Sequence, residues 1–87
     1  MITLNKDALD TRIQNEANEA IEKITQHAKY GVEFTEVLFP KDIYNKCRTK
    51  VNEYMEKNNV KYCWMVMNGM YSLDYGSERM MKFRLLQ

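Results

Sequence analysis

The residues of this chain best equipped for chemistry are His27, Cys47, Cys63 and the glutamates Glu16, Glu19, Glu22, Glu33 and Glu36. A histidine acting as general base needs a nucleophile and an orienting group, and no serine or cysteine here carries a motif marking it as the partner. His27 instead falls near the end of an apolar helical repeat. Zinc wants four ligands at recognisable spacing, against two distant cysteines and one histidine. The first three glutamates lie on the polar side of that helical repeat, where solvated charge is the norm. With glycines only at Gly31, Gly69 and Gly76, no glycine-rich loop is present to cradle phosphate. The sequence is therefore expected to hold no catalytic, cofactor or metal site, and not to encode an enzyme.

What must position any working surface is a single small domain. At 87 residues there is too little chain for a second hydrophobic core. Net charge is +1, too balanced to drive general nucleic-acid binding through counterion release. The balance hides an asymmetry: residues 1–36 carry four basic and seven acidic groups, residues 41–87 nine and five. The two parts thus hold −3 and +4, a dipole able to orient an encounter. No signal-peptide core and no run of about 18 apolar residues appears, and two cysteines make a poor disulfide framework. A cytoplasmic protein with reduced thiols and no membrane partner is expected.

Apolar residues at Leu9, Ile13, Ala17, Ala20, Ile21, Ile24 and Ala28 recur at helical spacing and predict a helix over 8–28. Asn5 is its N-cap, Leu4 is placed to staple onto Leu9, and Gly31 ends it. The small Ala17 and Ala20 invite close approach of another element. Val32, Phe34, Val37 and Phe39 alternate imperfectly and predict a short strand. Pro40 suits the first position of a second helix, whose apolar face is Ile43, Tyr44, Cys47, Val51, Tyr54 and Met55 and whose end lies near Asn58-Asn59.

Asn68-Gly69 between alternating segments is a strong hairpin signal, since both central residues of a type I′ turn need positive φ. A two-residue loop there would pair Met67 with Met70, Trp64 with Leu73, Cys63 with Asp74 and Tyr62 with Tyr75. Tyr62, Trp64, Val66, Tyr71, Leu73 and Tyr75 would then form the core face. A turn at 76–78 and a strand over 79–86 complete the pattern. The expected architecture is α+β in the order α-β-α-β-β-β. Two amphipathic helices pack on one face of a three- to four-stranded antiparallel sheet with a C-terminal β-meander.

That register leaves Cys63, Met65, Met67 and Met70 on the outer face, flanked by Lys61, Ser72 and Asp74, with Met80, Lys82 and Arg84 alongside. Methionine-rich open surface is adaptable and suits gripping a partner. Expected partner-binding residues are Met65, Met67, Met70, Met80, Lys82 and Arg84, joined by Lys46 and Lys50 on the basic side of the second helix. The alternative for the same face is self-association, as a homodimer or as a structural subunit of a larger symmetric assembly. Nucleic-acid binding ranks third, because the rings that would stack on bases fall on the core side.

The plan from Ala28-Lys29-Tyr30-Gly31, through the helix entered at Pro40 and closed by Asn58-Asn59, to Val60-Lys61-Tyr62 opening a hairpin resembles small accessory proteins of tailed bacteriophages. That resemblance spans most of the chain and implies a protein that binds and disables a host or defence factor in the host cytoplasm, or a minor virion part.

Overall fold

A computed structural model describes residues 1–65 and 72–86. The first helix, α1, covers Lys6–Lys29, and the Asn5 side chain accepts from the Ala8 N–H at 3.0 Å, supplying one of the partners a helix start lacks. Leu4 stays largely exposed, so that bond sets the helix start without the expected staple. At the other end Gly31, at φ +74, lets the chain reverse. Its N–H then donates to the Ala28 C=O, and the Val32 N–H donates to the His27 C=O at 2.8 Å. Helix α2, Tyr44–Lys57, closes by the same device, with Asn59 at φ 55 in the glycine position and the Val60 N–H donating to the Met55 C=O.

Between the helices runs β1, Phe34–Pro40. Pro40 does not open α2, as its spacing suggests, but ends β1 opposite Glu78. A 3₁₀ turn, Lys41–Ile43, then leads into the helix. Extended backbone at Pro40, with ψ 136, is what places it in the strand rather than in a helical first turn.

Three further strands follow, β2 (Tyr62–Trp64), β3 (Ser72–Tyr75) and β4 (Glu78–Leu85), and the four form one antiparallel sheet. Here the expected meander is corrected. β2 pairs with β4 and not with β3: Tyr62 faces Leu85, Cys63 faces Arg84 and Trp64 faces Phe83. β3 pairs with the other half of β4, Ser72 with Met81 through Tyr75 with Glu78. Because β1 covers the opposite edge of β4 from residue 78 to 84, β2 and β3 must lie end to end along one edge. The Met65 N–H donates to the Lys82 C=O, so Met65 and Ser72 occupy neighbouring positions against β4. The Asn68-Gly69 turn and the Met67–Met70 pair lie outside the described residues.

The described tight turn is Gly76-Ser77, between paired Tyr75 and Glu78, and Gly76 has φ +59. A side chain there would meet nothing within 4 Å, so only the backbone resists substitution. Gly76→Ala is expected to cost about 1 kcal/mol in a urea titration, from forcing a Cβ into the left-handed region. An unchanged midpoint would show the turn is not held in that conformation.

Core and surface follow from the register. Directly opposed residues share a face, so Val37, Met81 and Ser72 point one way, as do Thr35, Phe83 and Trp64. Val37, Phe39, Met81 and Phe83 join Ile13, Ala17, Ala20, Ile24, Cys47, Val51 and Met55 in one core, so both helices cover this inner face. Phe83 lies at its centre, with the Trp64 ring edge-on at 5.2 Å and the Tyr62 ring at 6.0 Å. Of the expected six-residue aromatic face, Val66 and Tyr71 lie outside the described residues and the other four are split. Tyr62 and Trp64 pack inward, whereas Leu73 and Tyr75, opposite Met80 and Glu78, project outward. Ser72 and Asp74 move the other way, to the helix side.

Candidate protein-binding face

The outer sheet face is a grid in which each row crosses β1, β4 and the β2–β3 edge. Rows run Phe34–Arg84–Cys63, Glu36–Lys82–Met65, Leu38–Met80–Leu73 and Pro40–Glu78–Tyr75. The third row is wholly apolar, and Pro40 and Tyr75 extend it toward the Gly76 turn. Leu38 is 45% exposed and Tyr75 52%, which marks this end of the sheet as open surface. Residues alternate across a strand, so burying Val37, Phe39, Met81 and Phe83 under the helices forces this row outward.

The other end of the face carries charge, but paired charge. Lys82 meets Glu36 at 3.3 Å and Arg84 meets Glu33 at 3.2 Å. The Lys82 ammonium also sits 5.7 Å from the Phe34 ring centre. Such exposed pairs add only about 0–1 kcal/mol each, but they leave the face close to neutral. Lys82 and Arg84 therefore act as a polar rim, not as free cations awaiting an anionic ligand.

Of the expected contact residues, Met80, Lys82, Arg84 and Met65 share this face, and Met67 and Met70 lie outside the described residues. Lys46 and Lys50 are not brought to it. They stand on α2 beside Asp10 and Ile13 of α1, on the helical layer beyond the core. Asp74, expected to flank the outer face, lies on the helix side instead. It takes the Arg79 Nε at 2.7 Å and Lys41 at 3.4 Å, and the Arg79 hydrogen bond holds its carboxyl below the ordinary aspartate range.

Leu38, Leu73, Tyr75 and Phe34 complete the face and were missed from sequence. For β1 the signal was present: with Val37 and Phe39 inward, Leu38 between them must point out. For Leu73 and Tyr75 the facing depends on which strand they pair with, and nothing local specifies that.

The residues with chemical potential are dispersed. His27 Nδ1 lies 3.0 Å from the Thr35 hydroxyl, the polar side chain buried beneath α1. Cys47 is buried between the helices, its Sγ 3.9 Å from the Ile13 C=O, and burial pushes its thiol up to about 11. Cys63 is exposed on the far side of the sheet, and both thiols are free. A charged aromatic disulfide reagent at pH 8 is expected to titrate Cys63 in the folded chain and Cys47 only after denaturant is added. Rapid reaction of both in the folded chain would mean that α1 and α2 do not shield Cys47.

Among the described residues no group of three or more His, Cys, Asp or Glu side chains is arranged to hold a metal ion. Nor is any helix among them long and apolar enough to cross a membrane. Neither a protein-family model, nor a curated protein, nor a solved structure matches this chain.

Proposed function

We propose that this protein is a binding module without catalytic activity, and that it docks a protein partner on the outer sheet face. The observation that carries the reading is the apolar row Leu38–Met80–Leu73 with Pro40 and Tyr75, exposed at Leu38 and Tyr75 and half-buried at Pro40, Met80 and Leu73, on the side of the sheet away from both helices. An apolar centre with a rim of charge is the usual make-up of a protein interface. Met65 and Met80 give it adaptable packing. Occlusion of a host or defence factor, as the likeness to small phage proteins implies, is one form of this reading.

The test is the double substitution Leu38→Glu with Met80→Glu. Both side chains point away from the core, so thermal unfolding should shift little. Two carboxylates in the apolar row should weaken partner capture from a cell extract at least about a hundredfold, as expected for losing central anchors. Light scattering on the wild-type chain distinguishes the alternative: a closed ring or larger array, dispersed by the same substitutions, would make it a structural subunit. Full partner capture by a folded double variant would refute the face.

A further inference from the structure

A second surface lies at the edge of the sheet rather than on its face. The β1–β4 register, with the Leu85 N–H donating to the Glu33 C=O, fixes how β1 spends its backbone. Thr35, Val37 and Phe39 bond to β4, so the N–H and C=O groups of Phe34, Glu36 and Leu38 point to the free edge. Among the described residues one group answers them, the Lys23 ammonium, which donates to the Glu36 C=O. A side-chain donor thus stands where the N–H of an added strand would go.

Beside this edge runs a cleft of roughly 320 Å³ between β1 and α1. Ala20, Val37 and Phe39 contribute its apolar lining, and α1 adds Glu16, Glu19 and Lys23. Glu36, the remaining carboxylate, is engaged by Lys82. Glu16 and Glu19 make no salt bridge among the described residues, so two carboxylates against the single Lys23 ammonium leave the α1 wall of the cleft net negative. The side chains of an added strand would alternate between this wall and the outer face, where Phe34 and Leu38 are exposed.

We propose that the free edge of β1 and the cleft under α1 receive an extended segment of a partner protein by strand addition, with lysine or arginine at alternate positions and apolar residues between. Backbone pairing supplies most of the affinity in this mode, and the alternating side chains supply the selectivity. The basic residues meet Glu16 and Glu19, and the apolar ones extend the row that begins at Leu38. The basic positions rest on the carboxylates of α1, whereas the apolar positions share Phe34 and Leu38 with the outer face proposed above and rest on that reading.

The full chain, labelled for amide resonances, is titrated with a synthetic octapeptide alternating lysine and valine, and separately with its glutamate–valine counterpart. The lysine peptide should perturb the amides of Phe34, Glu36 and Leu38 most, and weaken with added salt. Glu36→Pro removes one edge-facing N–H and none of the bonds to β4, and should lower affinity at least about tenfold. Should that variant not fold, the same peptide N-methylated on its bonding residues is tested on the wild-type chain, with the same expected loss. Glu16→Lys with Glu19→Lys should reverse the preference between the two peptides. Equal binding of both peptides, binding of neither, or shifts centred on Leu73 and Tyr75 at the opposite edge of the sheet would overturn the proposal. So would self-pairing of β1, seen as a dimer lost in Glu36→Pro, since the occupant would then be a second copy.

Discussion

Phe83→Ala is expected to cost about 3–5 kcal/mol of folding stability, the range for emptying a fully buried aromatic site. Phe83 has no exposed surface and sits on the central strand, between Thr35 of β1 and Trp64 of β2. Truncation leaves a cavity bounded by the Trp64 and Tyr62 rings, whose own positions are set by edge-on contact with Phe83. A domain of this length has about 4–13 kcal/mol in all at about 0.05–0.15 kcal/mol per residue, so the loss removes a large share of the total and should show as a markedly lower urea midpoint. Phe34→Ala is the internal control. It removes the same side chain from the same sheet, but from the outer face, where Phe34 is 45% exposed. Its cost should stay below about 1 kcal/mol. Equal losses in the two would mean the sheet does not face the helices as described.

Ala17→Leu is expected to destabilise by about 1–3 kcal/mol, through overpacking instead of a void. Ala17 is fully buried on α1, one turn beyond Ile13, whose backbone carbonyl approaches Cys47 of α2. A fully buried site has no room for three more carbons, so the added side chain must either displace its core neighbours or leave its preferred rotamer. Ala8→Leu, at an exposed position on the same helix, should change stability by less than about 0.5 kcal/mol. A neutral or stabilising Ala17→Leu would show that α1 and α2 are further apart than the core implies.

Both experiments probe features that were visible in the residues to different degrees. The alanines at 17 and 20, placed mid-stripe on an otherwise Ile- and Leu-bearing face, announced a close approach; both are buried in the core, and Cys47 of α2 reaches α1 one turn earlier, at the Ile13 carbonyl. With Met80, Lys82 and Arg84 on the outer face of a strand over 79–86, alternation alone puts Met81 and Phe83 on the inner one. What was not expected was the centrality of Phe83. The strand carrying it was placed at the end of a meander, whereas β4 holds β1 on one edge and both β2 and β3 on the other. The Asn-Gly signal describes what a local turn prefers. Eight residues whose inward side chains are Arg79, Met81, Phe83 and Leu85 bury far more apolar surface when flanked on both sides, which is reason enough for pairing with β4 to prevail.

The same contest decided the candidate face. Met65, Met80, Lys82 and Arg84 fall together because alternation alone sorts neighbours on one strand, and Trp64 inward requires Met65 outward. Leu73 and Tyr75 went to the wrong side in the sequence reading because their facing was inferred from a partner strand they do not have. Lys46 and Lys50 were assigned to the binding surface on charge alone, which carries no information about the layer a residue occupies.

From its residues, this chain determines where α1 begins, where both helices end, which stripe of each is buried, and which residues alternate in strands. These depend on capping groups, positive-φ positions and the periods 3.6 and 2, all within a few residues of one another. Only the assembled tertiary structure decides which strand stands in the middle of the sheet, and hence which apolar row is left uncovered. That choice is made between segments far apart in the chain, by the total area each arrangement removes from water, and no local pattern contains that sum.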